Sequence, residues 1–193
     1  MTSGNLSTDL HDIHPSGLKA LFSTSKMDYS EVPFTKQNLY EIDLTTNGIT
    51  SIWTDKKYDG RAKYSPDGSK LLVLGGPECF GDLGKKVSEG KIANNFDQQI
   101  YLYDLKTKKV EPLSLNFDPA INNAHWTNSD ELLLDVSEKT TKTSTSTLLK
   151  QKKFKKSKLK QKFWVELIMP TTNQLQCIQE QVFPHLTNYI LLI

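Results

Sequence analysis

The chain has 193 residues, 37% of them hydrophobic, and a net charge of +2, which is enough for one ordinary domain with a hydrophobic core. No segment is apolar for long enough to span a bilayer as a helix, and two cysteines, Cys79 and Cys177, are too few for a disulfide framework. Residues 1–14 lack the apolar run of a signal peptide, so the default expectation is a cytoplasmic location.

The first predicted unit begins after a polar lead-in, residues 1–12. A turn and a strand follow at His14–Phe22, with the sequence HPSGLKALF. Gln37–Leu44 alternates partly between apolar and polar residues, and Asn47-Gly48 is the strongest short signal for a hairpin. Ile49–Thr54 then returns as the partner strand. The order is therefore turn, strand, loop, strand, hairpin, strand.

The second unit repeats this order around its clearest segment, Tyr64–Leu74, with the sequence YSPDGSKLLVL. Pro66 presets φ for the turn, and Gly68 accepts a positive φ at no steric cost. The strand after the turn is apolar on both faces, which is typical of a strand between two neighbouring sheets. Gln98–Leu105 (QQIYLYDL) then matches QNLYEIDL of the first unit almost position for position, and Val110–Leu113 is the returning strand.

A third, weaker copy of the turn and strand lies at Thr127–Val136 (TNSDELLLDV). We place the units at residues 12–55, 60–115 and 121–138, and roughly 50–60 residues is the size of a β-propeller blade. A β-sandwich, the competing all-β fold, would not require the same turn to recur at the same place in each unit. The sequence therefore predicts an all-β fold, an incomplete WD40-like or TolB-like β-propeller of about two to three four-stranded antiparallel blades in residues 1–138.

Gly75–Asp97, an insertion between two strands of the second unit, is rich in glycine and charged residues. A phosphate-binding loop is one interpretation, because glycines and lysines gather there. However, the motif GxxxxGK[ST] is absent, and no helix is predicted after the insertion to supply an anion site. We therefore interpret this segment as a long surface loop.

Two segments of the first 138 residues carry a family resemblance. They are GRAKYSPDGSKLLVLGGPECFGDLGKKV and NNFDQQIYLYDLKTKKVEPLSLNFDPAINNAHW. Over about residues 12–138 the sequence resembles the N-terminal β-propeller of bacterial S9 serine peptidases, the prolyl oligopeptidase and dipeptidyl peptidase family. The resemblance implies a propeller that caps a separate α/β-hydrolase domain and limits entry to short peptides, in proteins that are usually periplasmic or secreted.

The residues needed for peptide hydrolysis are not found. Acyl transfer in that family needs the nucleophile motif G-x-S-x-G followed by an acid and a histidine, and the motif does not occur. His125 is expected to be a packed histidine of a strand, and His11 and His14 have no third type of metal ligand beside them. Asp43 and Asp104 precede hairpins, which indicates turn structure. We predict no catalytic, cofactor-binding or metal-binding residues, no cofactor and no enzymatic activity.

The composition changes at Lys139. Residues 139–193 hold ten of the 24 basic residues and two of the 22 acidic ones, which leaves 14 basic and 20 acidic residues before them. The tail therefore carries about +8 and residues 1–138 about −6. Its low complexity predicts an irregular, disordered segment. A basic tract can bind nucleic acid or an anionic membrane, but its few aromatic residues make a poor stacking surface.

A shifted reading frame accounts for this tail better. Back-translation with a two-base shift permits Asp-Tyr-Lys-Asn-Leu-Tyr and then Lys-Thr-Lys-Lys-Ile after codon 138, with no forced stop codon in the tail. These strings resemble further blade sequence of the same peptidase family. We therefore interpret residues from about Lys139 onward as an out-of-frame product, and we expect no nucleic-acid partner and no membrane span.

Two functions agree with the sequence. The first is a non-catalytic, truncated propeller fragment of an S9 serine peptidase, whose parent uses the propeller to restrict and orient short peptide substrates. The second is a stand-alone propeller that binds a protein or peptide partner. In the first case two to three blades cannot close a ring of about four or more, so the open blade edges of the fragment are expected to self-associate.

Overall fold

The computed structural model describes residues 5–87, 91–138, 141–148 and 153–156. Within these ranges the backbone forms twelve β-strands joined by turns and loops, and it includes no helix that could cross a membrane. The strands are β1 (Ser7–Ile13), β2 (Lys19–Met27), β3 (Thr35–Asp43), β4 (Ile49–Lys56), β5 (Asp59–Tyr64), β6 (Lys70–Gly75), β7 (Gln99–Asp104), β8 (Val110–Pro112), β9 (Ala120–Asn128), β10 (Glu131–Glu138), β11 (Thr141–Leu148) and β12 (Lys153–Lys156).

The strands form three antiparallel sheets of four strands each. The first sheet holds β1 to β4, the second β5 to β8 and the third β9 to β12, and in each sheet the spatial order follows the chain. Each sheet is therefore a four-stranded meander whose neighbouring strands are consecutive in sequence. This repeat confirms the predicted all-β fold built from four-stranded antiparallel units.

The turn after β5 shows why the repeated sequence folds in this way. The Gly68 amide donates to the Ser65 carbonyl oxygen over 2.8 Å, and Gly68 has a φ of +72°. The Ser65 hydroxyl donates to the Asp67 carboxylate over 2.6 Å and is the main reason that the pKa of Asp67 falls to about 2. Gly17 takes the same place in the first sheet, with a φ of +73° and a bond to the His14 carbonyl oxygen. Both predicted turns are confirmed.

Aspartates close the hairpins between the third and fourth strands. The carboxylate of Asp43 accepts hydrogen bonds from the Thr45 and Thr46 amides over 2.8 and 3.0 Å. Asp104 accepts one from the Thr107 amide over 2.7 Å. These side chains satisfy backbone donors that the tight turn leaves unpaired, so the interpretation of both aspartates as turn residues is confirmed.

Two hydrophobic cores hold the sheets together, and β6 contributes to both. Leu71 and Val73 lie in a core shared with the first sheet, whereas Leu72 and Leu74 lie in a core shared with the third. The predicted strand with two apolar faces is therefore confirmed. The first core also contains Leu21, Leu39, Trp53, Tyr101 and Tyr103, and the second contains Ile100, Ile121, Leu132, Leu134 and Val136. Each fully buried side chain of this size contributes about 1.5–3 kcal/mol to stability.

The first sheet begins earlier than the sequence predicts. The assignment of residues 1–12 as a frayed lead-in is wrong for Ser7–Ile13, which forms β1 and pairs with β2. The polar side chains of this segment give no clear strand signal. The strand forms because the edge of β2 supplies partners for its backbone hydrogen bonds. The first unit therefore extends over residues 7–56 rather than 12–55, and the second over 59–112 rather than 60–115.

The third sheet ends later than the sequence predicts. β11 and β12 lie within the stretch predicted to be disordered, and β11 pairs with β10 along its whole length. Threonine is β-branched and favours strands, and β10 offers a complete edge for pairing. The third unit therefore extends over residues 120–156 rather than 121–138. The rest of the predicted tail, residues 157–193, lies outside the described residues.

Candidate functional site

The first strands of the three sheets are linked to one another by polar contacts. The Ala62 amide of β5 donates to Nδ1 of His11 on β1 over 3.1 Å. The Lys63 ammonium, also on β5, donates to the Ala124 carbonyl oxygen and to Nδ1 of His125 on β9, over 3.3 and 3.2 Å. β1, β5 and β9 therefore lie next to one another, and we call the row that they form the inner edge.

His11 and Ser23 form a hydrogen-bonded pair that resembles a catalytic serine–histidine dyad. The direction of the hydrogen bond excludes that role. Nε2 of His11 lies 2.9 Å from the Ser23 hydroxyl oxygen. Because Nδ1 accepts the Ala62 amide proton, the neutral ring carries its own proton on Nε2 and donates it to Ser23. Burial lowers the pKa of His11, which keeps the ring neutral. A general base would have to accept the serine proton at Nε2, so His11 acts as a hydrogen-bonded bridge between two sheets.

The other described histidines also have structural partners. Burial is the main cause that lowers the pKa of Lys63 and of His125, and the Lys63 ammonium lowers that of His125 further. His125 is therefore a neutral, hydrogen-bonded residue of β9, which confirms its predicted role in a strand. The His14 ring packs edge-on against Tyr64, with 4.8 Å between the ring centres. No group of three or more metal-ligating side chains occurs in the described ranges, and His185 lies outside them.

Tyr64 joins the first two sheets through polar contacts. Its hydroxyl donates to Oε2 of Glu41 on β3 over 2.7 Å, and its amide donates to Oδ2 of Asp12 on β1 over 2.8 Å. Lys19 forms an ion pair with Oε1 of Glu41 at 2.8 Å. Burial acts to raise the pKa of Glu41, but the hydrogen bonds from Lys19 and Tyr64 outweigh it and hold the pKa below 4.5. Glu41 is therefore a charged acceptor that positions β5.

Replacing Tyr64 by phenylalanine tests this link. We expect Tyr64→Phe to lower the free energy of unfolding by about 1.5–3 kcal/mol, because a hydrogen bond to a charged, partly buried carboxylate is lost. Tyr29→Phe is the matched control, since Tyr29 is 78% exposed, and it should change the free energy by less than about 0.5 kcal/mol. Urea titration of both variants at pH 7 measures the difference.

The difference in stability between wild type and Tyr64→Phe should depend on pH. The pKa of Glu41 is lower in the folded state, so its contribution to stability is complete above its ordinary value of 4.5 and is lost as the pH falls through the folded value. The difference between wild type and Tyr64→Phe should therefore shrink as the pH falls below 4.5. A difference that stays constant down to pH 3 would contradict the role given to Glu41.

A cavity of about 540 Å³ opens near the starts of β1, β3 and β5, and we call it the inner cavity. Its lining carries both signs of charge, with Asp9 on β1 and Arg61 and Lys63 on β5. Leu10 gives it an apolar wall. Gln37 also lines the cavity, although its Oε1 is itself inaccessible and has no hydrogen-bond partner in the described part of the chain. A cavity with this lining is a candidate binding site for a small polar ligand.

Long loops of the first two sheets lie at the same end as the inner cavity. Residues 28–34 lead into β3, which carries Gln37. The loop after β6, described at residues 76–87 and 91–98, begins beside the start of β5. Large apolar side chains on these loops are exposed, among them Tyr29, Val32, Phe34, Ile92 and Phe96. Ile92 and Phe96 are 91% and 93% exposed. We call this surface the loop end.

The loop between β6 and β7 corresponds to the predicted insertion. It runs into a strand and not a helix, and within its described part Lys85 lies between the carboxylates of Glu78 and Asp82, at 2.9 and 3.0 Å. The Tyr101 hydroxyl donates to the Gly76 carbonyl oxygen over 2.8 Å and anchors the start of the loop. Lys85 is already paired and no helix follows, which disfavours a phosphate-binding loop. The interpretation as a surface loop is only partly right, because Cys79 and Phe80 of this segment are buried in the first core.

Sequence reasoning missed the residues of the inner cavity. Asp9, Gln37 and Arg61 belong to no recognised motif, and β1 is not predicted as a strand. One signal was present: Arg61 is the only arginine of the sequence, and it precedes the most recognisable turn.

No protein-family profile matches this sequence, and no curated protein matches it. Solved structures do match. TolB from Acinetobacter baumannii is 16% identical, with a TM-score of 0.54, and the match covers 80% of this chain and 33% of that one. An oligogalacturonate lyase in complex with manganese is 13% identical, with a TM-score of 0.58 and coverage of 80% and 42%. An acylaminoacyl peptidase from Pyrococcus horikoshii is 15% identical, with a TM-score of 0.51 and coverage of 79% and 25%.

These similarities show the fold. The described residues form three blades of a TolB-like β-propeller, as the sequence predicts. The predicted likeness to propeller-bearing S9 peptidases is confirmed at the level of fold by the acylaminoacyl peptidase. The chain spans between a quarter and about two-fifths of the length of the three structures.

Proposed function

We propose that this chain is a non-catalytic propeller fragment of a serine peptidase of the S9 type, whose parent uses the propeller to restrict and orient short peptide substrates. The observation that carries the proposal is the position of the inner cavity. It lies at the inner edge of consecutive blades, at the end that carries the long loops. A peptide that reaches this place meets charges of both signs on rigid strands, which suits orientation rather than chemistry.

The loop end supports a docking role for the same face of the propeller. Soluble proteins seldom expose several large apolar side chains close together, and such patches mark interaction sites. Ile92 and Phe96 are almost fully exposed on one loop, and Tyr29 is exposed on the neighbouring one. In the proposed parent, an α/β-hydrolase domain covers these side chains, and the inner cavity then faces the catalytic domain.

The third strand of the third blade supports an out-of-frame origin for the residues after 138. The third strands of the first two blades bury apolar side chains, Leu39 on β3 and Ile100 on β7. The third strand of the third blade, β11, buries Thr145 and Thr147 instead. The Thr145 hydroxyl has no hydrogen-bond partner in the described ranges. Burying an unpaired hydroxyl costs about 1–3 kcal/mol. A sequence selected for this fold would place an apolar side chain there, as the first two blades do.

The spacing in the shifted frame supports the same origin. The shifted reading permits a tyrosine five codons before Lys-Thr-Lys-Lys, and Tyr101 stands five residues before Lys106 in the KTKK sequence of the second blade. It also permits the tripeptide Asn-Leu-Tyr that β3 carries at residues 38–40. The threonines of β11 are then the product of codons that encode a blade strand in another frame.

Sequencing the gene through and beyond codon 139 tests this proposal. We expect the shifted frame to continue through further blade sequence and to reach a G-x-S-x-G nucleophile motif followed by an acid and a histidine. The restored chain should then hydrolyse a chromogenic dipeptide, whereas the present chain should not. An early stop codon in the shifted frame, with no blade or hydrolase sequence beyond it, would contradict the proposal.

The alternative is a stand-alone propeller that binds a protein or peptide partner, and the apolar loop end favours it as well. A self-sufficient binding module should purify as a folded monomer or a defined oligomer. A fragment should self-associate through its open blades, because Leu10 and Ile13 on β1 are 68% and 54% exposed. Sedimentation of the purified chain separates these outcomes.

A further inference from the structure

The first blade has an apolar, uncharged surface on the side of its sheet that is turned away from the second blade, and we call this side its outer face. We propose that two copies of this chain pack against each other through this face and form a symmetric dimer. The proposal rests on the proposed function in one respect, because a complete propeller would cover the outer face with its last blade.

The pairing of the four strands places one apolar residue from each strand in a single row. Ile13 on β1 lies opposite Ala20 on β2, which lies opposite Ile42 on β3. Ile42 in turn lies opposite Ile49 on β4. Directly opposed residues share a face of an antiparallel sheet. Because Leu21, the neighbour of Ala20, lies in the core shared with the second blade, the row belongs to the outer face.

A neighbouring row widens this apolar surface. Phe22 lies opposite Tyr40, and their rings stack with 5.4 Å between the ring centres. Tyr40 lies opposite Ser51 on β4. Neither row carries a charge, and Ile13 and Ile49 of the first row are 54% and 60% exposed. Apolar side chains that are exposed together on paired strands form the kind of patch that marks a protein interface.

The corresponding face of the third blade does not complement this surface. Leu134 on β10 points into the core shared with the second blade, so its neighbours on the strand, Leu133 and Asp135, belong to the outer face. Leu133 lies opposite His125 and Asp135 opposite Asn123. Packing the apolar rows over this face would take the Asp135 carboxylate out of water, which is costly for a charge. A second copy of the uncharged outer face carries no such cost.

The size of the outer face predicts a weak dimer. Four strands about 4.8 Å apart and about five residues long cover roughly 300 Å². Stable interfaces bury about 800 Å² on each partner. We therefore expect reversible association that depends on concentration, unlike the defined oligomer of a self-sufficient module. Because a two-fold contact uses the same patch on both copies, assembly should stop at two chains.

Sedimentation equilibrium of the full chain at about 1–200 µM tests the contact. The average mass should rise with concentration from the 21.9 kDa of one chain toward twice that value, and no further. Ile49→Lys should raise the dissociation constant about tenfold or more, because symmetry buries two lysines for one substitution. Ile13→Lys should do the same. Both side chains are exposed in the single chain, so neither change should disturb folding.

Two control variants distinguish the outer face of the first blade from other surfaces. Asn123→Lys places the same charge on the corresponding face of the third blade, where it would weaken a contact between first and third blades. Ile92→Lys places it on the loop end, where Ile92 is 91% exposed. Both variants should leave the dissociation constant of the dimer unchanged.

A full chain that stays monomeric over this range would overturn the proposal, as would association that Ile49→Lys and Ile13→Lys do not weaken. Weakening by Asn123→Lys would also overturn it, because the two copies would then close a ring through unlike blades. Weakening by Ile92→Lys alone would assign the contact to the loop end instead. The sequence of the gene decides the proposed function whichever of these results is obtained, so the two proposals can fail separately.

Discussion

A chain that ends at residue 138 should lose its cooperative unfolding transition. β11 pairs with β10 along its whole length, and Leu132 and Leu134 on β10 have no exposed surface. Removing β11 and β12 uncovers one side of these leucines and leaves β10 with an unpaired edge. We expect a loss on the order of 3–5 kcal/mol, which is a large part of the 5–15 kcal/mol that typically stabilises a domain.

A chain that ends at residue 156 is the matched control, because it keeps every described strand. It should retain the transition of the full chain in urea, followed by circular dichroism. If the chain ending at 138 unfolds with the same midpoint and slope as the control, β11 and β12 contribute nothing to stability, and the prediction is contradicted. The comparison is independent of the origin of the tail, since an out-of-frame sequence can still pair with a free strand edge.

The parts of the fold that the sequence predicts are those that local chemistry determines. The turns at His14–Gly17 and Ser65–Gly68 need residues that tolerate a positive φ at the last position, and Gly17 and Gly68 supply them. The hairpin at Asn47-Gly48 is equally local, and Asn47 has a φ of +57°. Because these turns recur at the same place before apolar strands, the four-stranded repeat can be predicted from them.

The parts that the sequence does not predict depend on pairing with a distant edge. β1 is mostly polar, and it forms because β2 offers an open edge. β11 is a run of threonine and serine without alternating apolar residues, and its partner β10 is what makes it a strand. In both cases the deciding free energy comes from backbone hydrogen bonds and burial, which a reading of the segment alone does not include.

The inner cavity could not be predicted for a related reason. Asp9, Gln37 and Arg61 lie on three different strands, and only the packing of the first sheet against the second brings them together. The role of His11 also depends on packing between sheets. The sequence assigns it no chemistry, and its bonds to Ala62 and Ser23 make it a structural bridge.

Replacing Gly68 by alanine should be among the most destabilising single changes in the chain. Gly68 has a φ of +72°, which costs a residue with a side chain about 1–2 kcal/mol. In addition, a Cβ at this position would overlap the imidazole ring of His14. Moving that ring away would disturb its hydrogen bond with the Ser16 hydroxyl and its packing against Tyr64. We expect a total loss of about 3 kcal/mol or more.

Gly17→Ala is the matched control for this prediction. Gly17 occupies the equivalent turn with a φ of +73°, but a Cβ there meets no atom within 4 Å, so only the backbone cost of about 1–2 kcal/mol should appear. Gly68→Ala introduced together with His14→Ala separates the two causes. Without the ring, the glycine change should cost about as much as Gly17→Ala, as measured by thermal unfolding of wild type, Gly17→Ala, Gly68→Ala, His14→Ala and the double variant. Equal losses for Gly68→Ala and Gly17→Ala in the presence of His14 would show that the turns of the first two blades do not press against each other, and that the contact between them contributes nothing to their alignment.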